Sequence, residues 1–206
     1  MSEPHCHAPD ASGGPEFRRA LWMALIANAV MFVVEVAASA ASGSSALAAD
    51  AVDFLGDSAN YAVALGAMAL GGIWTTRAAI AKALAMGAFG VGVIAFALWR
   101  VSVGTPPEAA TMGIVALVAF VVNLGVALLL YRFREGDANM RSVWLCTRND
   151  VIGNIAVMLA AAGVAGSGTV WPDVAVAGLM AALALSSAVA VFRQSMTELS
   201  ATQKAP

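Results

Sequence analysis

The chain has 206 residues, of which 60% are hydrophobic and 12% charged, and its mean hydropathy is +0.80. Soluble domains are about half apolar and about a quarter charged, and disordered chains are more polar still, so both classes are excluded. The formal net charge of −2 gives no indication of a nucleic-acid partner, and the two cysteines, Cys6 and Cys146, are too few for a disulfide scaffold. The composition predicts an all-α, polytopic membrane protein whose helices contact the lipid bilayer.

Six apolar stretches are long enough, or nearly so, to cross a bilayer as helices. The third is short and is bounded by Lys82 and Arg100, and Glu35 interrupts the first, which is also too long for a cleavable signal peptide. We expect a flexible tail over residues 1–16, a six-helix transmembrane domain over 17–199 and a short tail over 200–206. The predicted spans run roughly over Ala20 to Ala41, Leu47 to Ile73, Ala83 to Trp99, Met112 to Tyr131, Val143 to Ala165 and Val174 to Phe192.

The basic residues predict how these spans are oriented. An even number of spans leaves both termini on one side, and all but one of the 11 Lys and Arg residues fall on that side. Basic residues in short loops mark the cytoplasmic face, so both termini are predicted to lie in the cytoplasm, with the protein in the inner membrane. Arg100 is the exception, and the others are Arg18, Arg19, Arg77, Lys82, Arg132, Arg134, Arg141, Arg148, Arg193 and Lys204.

Three acidic residues lie in the second span, where each costs roughly 2.5–3.5 kcal/mol to insert. Asp53 and Asp57 are one helical turn apart, and Asp50 is one further turn along the same face. Carboxylates in such a stripe repel one another unless a cation or protons intervene. For Asp50 a structural role at the helix start after Ser44-Ser45 competes with cation attraction at the outer mouth. For Asp53 and Asp57 we favour a functional role.

The fifth span carries a second polar stripe, because Cys146, Asp150 and Asn154 recur every four residues. By itself, Cys146 would be interpreted as a small buried apolar residue. Because Asp150 lies one turn away, a metal-binding pair is an interpretation that we favour at least as much. For Asn154 three roles stay open: a metal ligand, a helix–helix hydrogen bond, or a support for a ligand. We favour the last two.

The two stripes together offer four ligands: Asp53, Asp57, Cys146 and Asp150. Four oxygen and sulfur donors suit tetrahedral Zn²⁺ or Cd²⁺, and a thiolate favours such softer ions over Mg²⁺ or Mn²⁺. The accessory candidates are less specific. Glu35 either pairs with a polar group on a neighbouring helix, which we prefer, or belongs to a proton path. The remaining ones are Asp50, Asn154 and the tail triplet His5-Cys6-His7, which either chelates a metal or is an incidental polar leader, the reading that we slightly favour.

These residues resemble the cation diffusion facilitator family, also called the cation efflux family. The stretch from Ser44 to Asp57 resembles its second helix, with a small-residue lead and two ligands four residues apart. Cys146 and Asp150 are similar to the ligand pair of its fifth helix, which is usually His and Asp. Trp171-Pro-Asp173 resembles the cluster that opens its sixth helix, and polar residues also match at Asn28, Glu35 and Asn123.

The resemblance implies six helices with cytoplasmic termini and a tetrahedral site between helices two and five. It also implies export of a divalent metal against proton entry. The chain departs from the family where Cys146 replaces the usual histidine and where residues 132–142 contain no histidine. We expect a short form that lacks the C-terminal cytoplasmic domain, so that any homodimer would form through the transmembrane helices.

Other classes of function stay open on the sequence alone. An intramembrane metalloenzyme is disfavoured because both histidines precede the first span and no His-Glu-x-x-His is present. A passive metal channel would use the same ligands as an antiporter, and a structural bundle would pair its acids internally. We predict a transporter rather than an enzyme, with Zn²⁺ or Cd²⁺ as transported substrate and no cofactor.

Overall fold

The computed structural model describes residues 14–70, 72–133 and 138–204. For 67–70, 72–75, 138–146, 148–149, 198–199 and 201–204 the description covers the backbone alone. Within these ranges the chain is all-helical, which confirms the predicted fold class. The six helices are α1 (Pro15–Ser42), α2 (Ser45–Leu70), α3 (Gly72–Val103), α4 (Ala109–Tyr131), α5 (Ala138–Ser167) and α6 (Trp171–Lys204).

The helices pack against one another as a bundle. α1 packs along α2, α3 along α6 and α4 along α5, and α2 also contacts α3, α5 and α6. At one end of the bundle the Glu108 amide donates to the Ser42 carbonyl at 3.0 Å, joining the start of α4 to the end of α1. At the other end Phe17 and Phe133 meet edge to face at 5.0 Å. The helix α2 therefore has neighbours on several sides, and its acids face protein.

The predicted boundaries of three of the helices were wrong. The third span is not limited by Lys82 and Arg100, because α3 runs from Gly72 to Val103 and contains both. Pro15 and Glu16, assigned to the tail, form the first turn of α1, where proline is tolerated because its missing amide hydrogen has no helical partner. α6 continues beyond Phe192 to Lys204. Single charges near the ends of an apolar stretch mark helix boundaries poorly.

Within the described residues, five helices contain a segment that is long and apolar enough to cross a membrane. The search of the described part of the chain leaves out α2, which has 26 residues and carries three aspartates. Large apolar side chains point outward from the bundle, as expected for contact with lipid rather than water. Examples are Ile26, Val33, Leu84, Leu98, Ile114, Leu128, Leu159 and Leu183.

A tight connection fixes the start of α2 and thereby the register of its acids. Gly43 has φ +73°, which L side chains rarely adopt, and the Arg100 guanidinium lies where its Cβ would be. Asp173, at the start of α6, accepts hydrogen bonds from the Ser44 hydroxyl (2.6 Å) and from the backbone amides of Ser45 (2.8 Å) and Ala46 (2.9 Å). The acid that caps α2 is thus Asp173, and the helix-start role considered for Asp50 is wrong.

Candidate metal site

The acids of α2 and α5 face each other inside the bundle. The carboxyl groups of Asp57 on α2 and Asp150 on α5 lie close enough for a hydrogen bond when they share one proton. Asp57 is buried, and Oδ2 of Asp150 is buried without a hydrogen-bond partner. The prediction that α2 and α5 are adjacent is confirmed. This pair leaves carboxylate oxygens available to a cation.

A short chain of hydroxyl groups supports the pair. The Tyr61 hydroxyl donates to Oδ2 of Asp57 at 3.2 Å and lies 2.7 Å from the Thr147 hydroxyl on α5. Because Tyr61 gives its single hydroxyl hydrogen to Asp57, Thr147 is the donor in the second bond. Tyr61 and Thr147 are both fully buried. We call Asp57, Tyr61, Thr147 and Asp150 the central acid cluster.

A lysine from a third helix lies beside the central acid cluster. The Lys82 ammonium group on α3 donates a hydrogen bond to the Asn60 side-chain carbonyl on α2. Asn60 lies close to Asp57, and the charge of Lys82 acts on Asp57 and Asp150. The sequence assigned Lys82 to the cytoplasmic end of a span, whereas the structure places it next to the acids.

A second group of polar residues lies one to two helical turns away. The Asn154 amide nitrogen on α5 donates to both carboxylate oxygens of Asp50, at 3.0 and 2.8 Å. The Asn154 carbonyl accepts from the Asn123 amide on α4 at 2.9 Å. Asn154 therefore makes the helix–helix hydrogen bonds that were one of its open roles. We call Glu35, Asp50, Asn123 and Asn154 the distal acid cluster.

Glu35 lies in the distal acid cluster without a hydrogen-bond donor. Both of its carboxyl oxygens are buried and lack a hydrogen-bond partner among the described residues. Both open roles of Glu35, a polar partner on a neighbouring helix or a part in a proton path, therefore stay predictions. Its neighbours are acids, since it faces Asp50, with which it would hydrogen bond on sharing a proton, and it feels the charge of Asp53.

The four-ligand set is brought together only in part. Asp53 lies between the two clusters and feels the charges of Asp50 and Asp57. Among the side chains that the structure describes, no three His, Cys, Asp or Glu groups are close enough to hold a metal ion. The Cys146 side chain and the tail triplet His5-Cys6-His7 lie outside the described residues. Convergence of the four ligands on one ion therefore stays a prediction.

Sequence reasoning missed several residues of the site. Tyr61 follows Asp57 by one helical turn, so its position on the same face could have been read from spacing. Thr147 follows Cys146 directly and gave no signal of its own. Asn60 and Lys82 became visible only through the packing of α2 against α3.

Ionisable groups buried inside membrane-spanning helices are rare and are typical of ion and proton pathways. The family comparison agrees. Residues 21–200 match the model of the cation efflux transmembrane domain. The chain belongs to the cation efflux family, which confirms the resemblance drawn from its residues.

Two curated relatives illustrate the similarity. The chain is 26% identical to the metal cation efflux system protein CzcD of Cupriavidus metallidurans over 186 residues, which cover 84% of the chain and 58% of that protein. It is 29% identical to the zinc transporter ZitB of Escherichia coli over 210 aligned residues, 95% of the chain and 67% of that protein. The chain thus spans less than two thirds of the length of the first of these relatives.

Proposed function

We propose that this protein moves a divalent transition-metal cation, Zn²⁺ and also Cd²⁺, out of the cytoplasm in exchange for protons. The metal would bind between α2 and α5 to Asp53, Asp57, Cys146 and Asp150. The observation that carries the proposal is the pairing of the Asp57 and Asp150 carboxyl groups across the two helices. The relatives named for metal cation efflux and zinc transport support the same substrate class.

The chemistry of the pair fits an exchange of metal for protons. Two facing carboxylates repel each other, and either a shared proton or a divalent cation removes the repulsion. The ligands must lose their protons to bind metal, so metal and protons exclude each other at one site. A rocking motion that exposes the metal-loaded site to one side and the protonated site to the other would couple the two flows.

The donor set favours soft metal ions. Carboxylates alone would suit Mg²⁺ or Mn²⁺, whereas a thiolate shifts the preference toward Zn²⁺ and Cd²⁺. Cys146 lies one helical turn before Asp150 in α5, the helix that also carries Thr147 and Asn154. This spacing places its Cα on the same helix face as Asp150.

The surroundings follow from the same proposal. The protein would lie in the inner membrane with both termini in the cytoplasm, because nearly all basic residues fall on the side of the termini. Any homodimer would form through the transmembrane helices. Membership of a transporter family favours transport over an intramembrane metalloenzyme.

Uphill transport in sealed vesicles tests the proposal. The full chain is reconstituted with a zinc-sensitive dye on the side toward which metal is exported, and a pH gradient is imposed with equal Zn²⁺ on both sides. We expect Zn²⁺ to accumulate above its equilibrium level and the gradient to dissipate faster when Zn²⁺ is present. A passive channel would equalise Zn²⁺ but never concentrate it, so equalisation without accumulation would overturn antiport.

Matched variants assign the activity to the site. Asp57→Asn and Asp150→Asn remove charge at nearly constant volume and should abolish accumulation. Glu108→Gln removes one acid at an exposed position at the start of α4 and should transport like the parent. Full transport by Asp57→Asn and Asp150→Asn would show that the metal crosses elsewhere.

A further inference from the structure

Lys82 is a cation inside a membrane-spanning segment. It lies in the span Thr76–Val103, six residues after Thr76. Its side chain is partly buried, and its ammonium group donates to the Asn60 carbonyl oxygen. Intramembrane lysines are costly and normally have an anionic partner. Asn60 is neutral, so the hydrogen bond fixes the position of the charge without compensating it.

The compensating charges belong to the central acid cluster. Asp57 and Asp150 are the acids whose charges act on Lys82. Asn60 links the two parts, since it accepts the hydrogen bond from the ammonium group and lies on the same face of α2 as Asp57, three residues further along the helix. A fixed positive charge therefore lies next to the place where the proposed function puts a divalent cation.

We propose that Lys82 is a tethered counter-cation of the metal site, which partly neutralises Asp57 and Asp150 when the site holds no metal and weakens metal binding by electrostatic repulsion. This inference rests on the proposed function. A single positive charge cannot replace a divalent ion, so metal still binds, but it binds against the field of Lys82. The consequence is faster metal release, which an exporter needs because a site that binds too tightly does not turn over.

Calorimetric titration of the purified full chain with Zn²⁺ tests this role. Lys82→Met removes the charge and keeps a long flexible side chain, and we expect the Kd for Zn²⁺ to fall by about tenfold, a moderate effect for a charge near a partly screened site. Lys82→Gln removes the charge and retains a donor for Asn60, so it serves if the Met variant folds poorly. Lys82→Arg should return the affinity toward that of the parent.

The control removes a positive charge elsewhere. Arg193 is exposed on α6, and Arg193→Gln should leave the Kd unchanged. In vesicles the charge-removing Lys82 variants should show a lower KM and a lower maximal rate, because tight binding slows release. A merely structural lysine would not give a gain in affinity.

The outcomes separate this inference from the proposed function. If the parent binds Zn²⁺, Asp57→Asn abolishes binding, and neither Lys82→Met nor Lys82→Gln tightens it, the counter-cation role is wrong while the metal site stands. If the parent itself binds no Zn²⁺, both proposals fall.

Discussion

The central and distal acid clusters both contain buried carboxyl groups, but different hydrogen-bond donors surround these groups. Each joins carboxyls from two helices: Asp57 with Asp150 in the central cluster, and Glu35 with Asp50 in the distal one. In the distal cluster the Asn154 amide holds both oxygens of Asp50. In the central cluster Asp57 is held by the Tyr61 hydroxyl and Asp150 keeps one free oxygen.

The comparison teaches that burial alone does not give an acid its role. An amide donor such as that of Asn154 cannot change its charge, so it holds Asp50 in one arrangement and ties α2 to α5 and α4. Hydroxyl groups reorient, and a free carboxylate oxygen accepts either a proton or a metal. We therefore propose that protons exchange for metal at the central cluster, and that Asp50, Asn123 and Asn154 position the helices.

The largest expected difference between the clusters is in metal affinity. Asp57→Asn should weaken Zn²⁺ binding by about a hundredfold or more, because it removes a ligand, and ligand supports alone are worth 10–100-fold. Asp50→Asn should change the Kd by less than about threefold, since it alters a hydrogen bond outside the ligand set. Titration calorimetry on both variants checks this. Equal losses would mean that both clusters bind the metal.

A second expected difference is in stability. Asn154→Ala removes the donor to Asp50 and the acceptor for Asn123. It should lower the free energy of unfolding in mixed micelles by about 2 kcal/mol, more than an average membrane hydrogen bond because it leaves a buried carboxylate without its donor. Leu159→Ala, on an exposed face of the same helix, serves as the control. A loss no larger than in the control would contradict the structural role of the distal cluster.

Loss of the cap on α2 should lower the free energy of unfolding by about half as much as Asn154→Ala does, and it should affect both clusters together. Asp173→Ala removes three hydrogen bonds at the start of α2, and a lost N-terminal cap costs about 1 kcal/mol. Asp173→Asn keeps a side-chain acceptor and should cost less. Thermal unfolding monitored by circular dichroism measures both. An Asp173→Asn variant less stable than Asp173→Ala would show that the capping bonds do not hold α2.

The smallest expected effect comes from the hydroxyl chain. Tyr61→Phe removes the hydroxyl that donates a hydrogen bond to the Asp57 carboxylate. Without this donor the protonated form of Asp57 becomes more favourable, and protons compete more strongly with metal for the carboxylate. The Kd for Zn²⁺ should rise by about threefold at acidic pH, consistent with one neutral hydrogen bond, and by less at alkaline pH, where proton competition fades. Titrations across pH check the sign. A uniform change at every pH would show that Tyr61 acts on packing alone.

The sequence predicted those parts of the site that follow from periodicity within one helix. The spacing of Asp53 and Asp57 placed them on one face of α2, and the spacing of Cys146, Asp150 and Asn154 did the same for α5. These arguments need only the helical repeat. The apolar stretches likewise predicted six helices, with errors confined to their ends.

The parts that depend on packing between helices were not predictable in this way. Asp173 accepts a hydrogen bond from the backbone amide of Ser45, which lies 128 residues earlier in the chain. No local sequence pattern connects the two residues. Lys82 was read as the end of a span because a charge beside an apolar stretch has that meaning on average. Only the packing of α3 against α2 shows that its charge faces Asp57 and Asp150.

The most direct test of the central claim is X-ray absorption spectroscopy at the zinc edge of the Zn²⁺-loaded full chain. A metal held between α2 and α5 by carboxylates and Cys146 should show a single sulfur neighbour at about 2.3 Å among oxygen neighbours. In Cys146→Ser that sulfur signal should vanish while oxygen neighbours remain. A zinc shell without sulfur in the parent, or one unchanged by Cys146→Ser, would contradict the account.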